Sequence, residues 1–189
     1  MKSNVKPTSE EIDRALIDVA AFVFAQHGFA QGTVQAIADA SGYSKAAVLK
    51  RFGSKERIQD AVVDHAERAA ETLAAVGTAV PVGPERDAVL VEALVRMIGE
   101  RPGMGALVVG AFWLTREAEV MDRLSVAQHT LMRAFGPDVH SDEERHVRVV
   151  AAIGAVTATM MANRDEQWTD RTDVIVAAGL GALGHRSGR

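Results

Sequence analysis

A short run of basic residues carries the strongest chemical signal in this sequence. Segment 41–57 holds five basic residues against one acidic residue, Glu56; the basic ones are Lys45, Lys50, Arg51, Lys55 and Arg57. Lys and Arg neutralise phosphate groups, so a fold that presents these side chains together could bind a nucleic-acid backbone. The plain alternative is the solvated face of a short helix.

The overall composition hides this run. The 189 residues carry a formal net charge of −4, which taken alone argues against a nucleic-acid binder. Residues 1–60, however, hold 8 Lys and Arg against 7 Asp and Glu, whereas residues 61–189 hold 13 against 18. The chain has no cysteine, which excludes disulfides, thiol nucleophiles and cysteine-based metal sites. A hydrophobic content of 48% supports a buried core and excludes wholesale disorder.

The elements that must position these residues are helices. Ile12, Leu16, Val19 and Val23 are spaced as one face of a helix, and Thr8 to Glu11 forms a capping-box pattern at its start. Similar spacing continues along the chain, without alternation typical of strands. We therefore predict an all-α fold of about nine helices. After the first, which ends at Gly28, these cover about 34–40, 45–52, 55–76, 85–100, 104–115, 118–135, 142–163 and 170–183, with a second capping box at 141–144.

The first three helices have the pattern of a helix-turn-helix domain. Val34 and Ile37 would bury one face of the second helix, and Gly42 allows a sharp turn into the third. Small side chains at Ala46 and Ala47 would let the third helix approach base edges in a major groove. This arrangement would leave the basic residues facing phosphates.

The segment from about residue 12 to residue 60 resembles the tetracycline-repressor (TetR) family of transcriptional regulators. The matching positions are Leu16, Val19, Ala20, Val23, Phe24, Gly28, Phe29, Thr33, Val34, Ile37, Ala38, Gly42, Tyr43, Ser44, Lys45, Phe52, Ser54, Lys55 and Glu56. The family usually has Gly where Ala46 stands, Tyr where Leu49 stands and His where Arg51 stands. The resemblance implies two domains, a DNA-binding domain at 1–60 and an effector-binding and dimerisation domain at 61–189.

The resemblance also implies site residues. Those expected at DNA are Thr33, Ser44, Lys45, Ala46, Ala47, Leu49, Lys50, Arg51 and Lys55. Methionines and aromatics of the second domain suit an apolar effector pocket, namely Met97, Met104, Phe112, Trp113, Met121, Met132 and Phe135, although ordinary core packing is the alternative for each. Small residues on the last two helices suit close pairing of two copies, although packing within one chain is the alternative: Ala151, Gly154, Ala155, Ala158, Ala178, Gly179 and Ala182.

Together with these features, the resemblance implies a ligand-responsive transcriptional regulator, expected to be a repressor, in a bacterial cytoplasm. It would bind a palindromic double-stranded operator as a homodimer and leave it when a small apolar molecule binds, with no cofactor, metal or catalytic residue. The longest apolar stretch, 147–162, is too short to span a bilayer. The alternatives are an all-helical enzyme or small-molecule carrier, and a helical protein-interaction module.

Two other patterns predict no chemistry. Residues 179–184 match the spacing of a dinucleotide-binding loop, but only five residues follow, too few for the strand that such a site needs. His140 and His146 flank a predicted helix start, where capping is a plainer role than metal binding.

Overall fold

The chain is helical throughout the part that the structure describes. The computed structural model describes residues 7–111, 118–162 and 171–185, and these ranges contain α-helices and one 3-10 helix but no strand. The α-helices are α1 Ser9–His27, α2 Val34–Ser41, α3 Lys45–Phe52, α4 Lys55–Thr78, α5 Pro84–Glu100, α6 Pro102–Ala111, α7 Ala118–Ala134, α8 Glu143–Ala162 and α9 Thr172–Ala182; a 3-10 helix covers Pro137–His140. The all-α prediction is confirmed.

Each of the first four helices is capped at its N-terminus by the side chain of the residue that directly precedes it. The Thr8 hydroxyl accepts the amide of Glu11 at 3.2 Å, and the Glu11 carboxylate accepts the amide of Thr8 at 2.7 Å, which confirms the predicted capping box. Thr33, Ser44 and Ser54 cap α2, α3 and α4 in the same way. Each hydroxyl satisfies an amide that the helix itself leaves unpaired.

Two of the helix starts that differ from the prediction are set by carboxylate caps. α6 begins at Pro102 and not at Met104, because the Asp18 carboxylate of α1 accepts the amides of Gly103 at 3.0 Å and Met104 at 3.2 Å. α8 is capped by Asp142, whose carboxylate accepts the Arg145 amide at 3.0 Å, so the capping box predicted at Ser141 is wrong.

The helices enclose two apolar cores. The first joins α1 to α4 around Phe24 and Ile37, both fully buried, and extends to Met104 and Leu107 of α6. The second lies between α4, α5, α7, α8 and α9. α4 contributes to both cores and runs without interruption through residue 60, where the sequence predicts the domain boundary. α4 is therefore one of the elements that join the two cores.

A buried charged cluster joins the helices of the second core. Asp87 of α5 is 1% exposed, and its carboxylate accepts two hydrogen bonds from Arg145 of α8 at 2.6 and 2.8 Å. The same carboxylate lies 2.7 Å from Nε2 of His185, just beyond α9. Arg145 also donates to the carbonyl of Phe135. Because every charge has a close partner, burial of the cluster is tolerated, and α5, α8 and α9 are held in register.

Among the described helices, none combines the length and the apolar character needed to cross a bilayer.

Candidate nucleic-acid interface and ligand cavity

α2, the turn at Gly42 and α3 form a helix-turn-helix. Gly42 ends α2 with φ +73° and ψ 9°, a left-handed conformation that glycine adopts without a steric penalty. α3 is anchored by Val48, which is fully buried, so the opposite face of this two-turn helix is left to solvent. The sequence thus builds a rigid support under one short exposed helix.

The exposed face of α3 carries four of the predicted DNA-binding residues. Lys45, Ala46 and Lys50 are exposed and Ala47 is half-buried. The two lysines supply positive charge, and the two alanines keep the face between them flat. Such a surface can lie close to an anionic backbone, with methyl groups against the bases.

Thr33 and Ser44 lie at the starts of α2 and α3. Their hydroxyls accept the amides of Ala36 at 3.0 Å and Ala47 at 3.1 Å. Both side chains are exposed, so each hydroxyl proton remains available to an outside acceptor. The helix N-terminus beside each of them also favours a negative group.

Three other predicted residues contact the rest of the chain. Leu49 is half-buried and packs against the first core. Arg51 forms an ion pair with Asp13 of α1 and donates to the hydroxyl of Ser9. Lys55 Nζ donates to the carbonyl of Ala30 at 2.5 Å. Arg51 and Lys55 therefore join α3 and α4 to α1 and its following loop, contacts that nucleic acid would have to compete with.

Tyr43 is a candidate that sequence reasoning did not single out. It lies in the turn before α3 and is 40% exposed, although large aromatic side chains are usually more buried. Its phenolic hydroxyl can donate a hydrogen bond, which Leu49 cannot. The signal available in the sequence is an aromatic residue inside a turn between two helices, where no core position needs it.

A cavity of about 90 Å³ lies between α4, α5, α6, α7 and α8. Nearly all of its lining is apolar; the lining residues are Ala66, Ala69, Ala70, Leu73, Met97, Met104, Leu107, Val108, Leu124, Ala127, Gln128, Leu131, Met132, Val150 and Ile153. We call it the ligand cavity. Concave apolar sites of this kind bind small molecules.

The ligand cavity brings together three of the seven predicted pocket residues, Met97, Met104 and Met132. Phe135 is buried in the second core but is not part of the lining. Phe112 and Trp113 lie outside the described residues, and Met121 lies in α7 with a side chain that is also outside them.

Met104 connects the ligand cavity to α1. Its side chain lines the cavity, while its amide donates to the Asp18 carboxylate. Burial raises the pKa of Asp18, against the lowering effect of the two amide hydrogen bonds and of Arg101. A displacement of Met104 would therefore act directly on α1, which packs against α2 of the helix-turn-helix.

The predicted small-residue surface of α8 and α9 is largely open. Ala151, Ala158 and Ala178 are exposed, and Gly154, Ala155 and Ala182 are half-buried. A Cβ atom added to Gly154 would meet nothing within 4 Å. Gly179 lies instead against the chain's own core, since an added Cβ would be 2.9 Å from Val156 and Val91.

The same surface includes apolar residues that the prediction omitted. Val147 is 58% exposed and Val174 is 69% exposed. Val147, Ala151, Gly154 and Ala158 follow the i, i+4, i+7, i+11 spacing of one helix face, and Val174, Ala178 and Gly181 repeat it on α9. We call these seven residues the α8–α9 face.

His140 lies between two other histidines. Its ring stacks on that of His129 at 4.2 Å between centroids and lies 6.2 Å from that of His146. Desolvation, followed by the nearby His129 and His146, lowers the pKa of His140. Within the described ranges, no three His, Asp or Glu side chains are arranged to hold a metal ion.

Comparison with known proteins gives a consistent picture. Residues 16–62 match the family model described as bacterial regulatory proteins of the tetR family. The chain shares its fold with a TetR-like transcriptional regulator from Rhodococcus sp. RHA1, at 17% identity and a TM-score of 0.59, over 96% of this chain and 100% of that one. No match was found among curated proteins.

Two further solved structures are similar. The regulator FadR from Bacillus subtilis, solved in complex with stearoyl-CoA, is 15% identical with a TM-score of 0.58, over 89% of this chain and 96% of that one. The TetR family regulator PfmR from Thermus thermophilus is 24% identical with a TM-score of 0.50, over 92% of this chain and 99% of that one. At these identities, the likeness establishes a shared fold along nearly the whole chain.

Proposed function

We propose that the chain is a transcriptional regulator of the tetR family that binds its operator through α3 and releases it when a small apolar molecule fills the ligand cavity. The observation that carries the proposal is the helix-turn-helix itself. Its α3 is anchored by the buried Val48 and exposes Lys45, Ala46 and Lys50. This surface needs no catalytic group. A bacterial operator would be met in the cytoplasm, where we place the protein.

The DNA contacts fall into two sets. The first set would contact phosphates and comprises Lys45, Lys50, Thr33, Ser44 and Tyr43. The second set, Ala46 and Ala47, would approach base edges. Arg51 and Lys55 are engaged within the chain, so they would add to DNA binding only by exchanging Asp13 and the Ala30 carbonyl for phosphate.

The protein would act as a homodimer joined through the α8–α9 face. The small and exposed side chains of this face let two copies approach closely, as in a four-helix interface. A twofold dimer places two α3 helices on one side, which matches a palindromic operator with half-sites roughly 34 Å apart.

A ligand in the cavity would change the DNA affinity through α4 and α6. α4 lines the cavity with Ala66 to Leu73 and starts directly after the helix-turn-helix. α6 lines it with Met104, which also binds Asp18. The ligand must bind more tightly to the conformation that fits DNA poorly. A ligand with equal affinity for the DNA-binding and the non-binding conformation would leave the equilibrium between them unchanged.

The DNA part of the proposal is tested by salt-dependent binding. Duplexes retained by the protein from a random-sequence pool provide the operator, and the affinity of that operator is measured from about 50 to 200 mM salt. Lys45→Ala and Lys50→Ala should each weaken binding and reduce the salt slope by roughly one, because each removes one phosphate contact.

Arg96→Ala is the matched control, since Arg96 is exposed on α5, outside the helix-turn-helix. It should leave the salt slope unchanged. An unchanged slope in the Lys45 and Lys50 double variant would rule out this placement of α3. Retention of no duplex at all would favour the carrier or interaction-module alternatives.

A further inference from the structure

The lining of the ligand cavity contains one polar side chain and no charged one among the residues that the structure describes. The polar residue is Gln128 of α7, which is exposed and therefore lies at the mouth of the cavity. The remaining lining is alanine, leucine, isoleucine, valine and methionine. Among the described lining residues, a molecule inside would meet apolar side chains everywhere except at the Gln128 amide.

Two titratable residues that are adjacent in sequence to the lining, Arg123 and His65, offer no free positive charge. Arg123 precedes Leu124 of the lining, but its guanidinium lies 2.5 Å from Asp64 and 3.2 Å from Asp60 of α4. His65 precedes Ala66, and burial together with Arg101 lowers its pKa to about 4, so that it is neutral at pH 7. Neither residue offers a free positive charge to an anion in the cavity.

We propose that the effector is an uncharged molecule with an apolar body that fills the cavity and one hydrogen-bonding group that pairs with the Gln128 amide. The inference rests on the proposed function and names the chemical class of its ligand. A carboxylate, phosphate or ammonium group inside the described lining would lose its hydration without meeting a lining side chain of opposite charge, which strongly disfavours binding.

Gln128 suits a neutral partner. Its amide can both donate and accept a hydrogen bond, so a hydroxyl, carbonyl or amide on the ligand would satisfy it. A cavity of about 90 Å³ must widen to hold a six-carbon ligand, since an engineered apolar cavity of about 150 Å³ in another protein binds benzene. The flexible side chains of Met97, Met104 and Met132 allow the cavity to adjust to it.

Three six-carbon probes that differ in charge provide the test. Binding of 1-hexanol, hexanoate and hexylammonium to the full-length protein is measured by calorimetry at pH 7.5, with toluene as an apolar probe that lacks a polar group. We expect 1-hexanol to bind at least tenfold more tightly than either ion. We also expect toluene to bind, because the lining itself is apolar.

Variants test whether Gln128 makes the polar contact and whether the probes bind in the ligand cavity. Gln128→Met keeps the length of the side chain and removes the amide, so it should weaken 1-hexanol about tenfold and leave toluene unchanged. Ser125→Ala, on the exposed side of the same helix, should change neither. Ala66→Leu narrows the cavity and should weaken both probes.

The inference is overturned if either ion binds as tightly as 1-hexanol, if Gln128→Met affects the alcohol and toluene equally, or if no probe binds. Operator retention is measured in parallel on the same preparations. A protein that takes up 1-hexanol but never retains DNA would contradict the proposed function and leave the ligand class standing. A protein that retains DNA but prefers hexanoate would contradict the ligand class alone.

Discussion

Single side chains decide how this molecule responds to its surroundings, and His65 is the clearest case. It is 7% exposed, and its Nε2 lies 3.2 Å from the Arg101 guanidinium. Because guanidinium can only donate, Nε2 accepts and the ring carries its proton on Nδ1. Burial, followed by the positive charges of Arg101, Arg68 and Arg14, lowers the pKa of His65 to about 4.

This shift predicts a loss of stability in mild acid. Unfolded His65 takes up a proton below about pH 6.5 while the folded form stays neutral, so stability is complete above pH 6.5 and is lost as the pH falls toward 4. The free energy of unfolding in urea should decline with a slope that approaches about 1.4 kcal/mol per pH unit from this residue.

Replacement isolates the contribution of His65. His65→Gln should flatten the decline between pH 6.5 and pH 5 relative to the unmodified chain, whereas His27→Gln, at an exposed position, should not. Identical pH profiles for the His65 variant and the unmodified protein would contradict the assignment.

At the scale of elements, the contact between α1 and α6 has the most direct consequence. Asp18 accepts two amides at the start of α6, and Gly103 approaches so closely that an added Cβ would overlap the Asp18 carbonyl oxygen. The glycine is needed because any side chain there would push the two helices apart.

Removing this cap should loosen α6. Asp18→Ala should lower the free energy of unfolding by about 1 kcal/mol, the usual effect of losing an N-cap acceptor. It should also speed hydrogen exchange of the Gly103 and Met104 amides. Asp18→Asn, which keeps one acceptor, should fall between, and Asp39→Ala on α2 should leave both amides protected. Unchanged exchange in Asp18→Ala would show that the cap does not hold α6.

Helix starts whose capping residue lies close in sequence could be predicted, and a start whose capping residue lies far away in sequence could not. α1 to α4 start at caps that lie within three residues of the amides they bind, so Thr8, Thr33, Ser44 and Ser54 were sufficient. The start of α6 depends on a carboxylate 85 positions earlier. No window of sequence around Pro102 contains that information.

The same limit applies to the candidate sites. The exposed face of α3 follows from the helix period, because burial of Val48 fixes which side faces outward. The engagement of Arg51 with Asp13 and of Lys55 with Ala30 depends on how α1 packs against α3 and α4. Apolar pocket residues were harder still, since Met132 of the cavity and Phe135 of the core have the same hydrophobic character.

At the scale of the whole molecule, the α8–α9 face predicts the state of assembly. Within a single chain, Gly154→Glu should stabilise α8, because Gly is less favourable in a helix than other residues by up to about 1 kcal/mol. The new side chain would also meet open space. The same change would place charge and bulk in the proposed interface between two copies. We expect a dimer for the unmodified protein and a monomer for the variant in sedimentation experiments.

A matched substitution controls for added charge. Ala75→Glu, at an exposed position of α4, should leave the dimer intact. The Gly154→Glu monomer should retain its helical content and lose affinity for a palindromic operator, because only one α3 remains to bind. Persistence of the Gly154→Glu dimer at the same protein concentration would show that the copies join elsewhere.

The uneven distribution of charge has a kinetic consequence. Residues 61–189 carry five more acidic than basic side chains, while segment 41–57 carries four more basic than acidic ones. Such a separation is an electric dipole, and in a twofold dimer the components across the axis cancel, so the remainder points along the axis. The field of DNA exerts a torque on that dipole and turns the protein α3-first during diffusion. Fewer collisions are wasted, and the benefit fades as salt shortens the screening length to about 10 Å at 0.1 M.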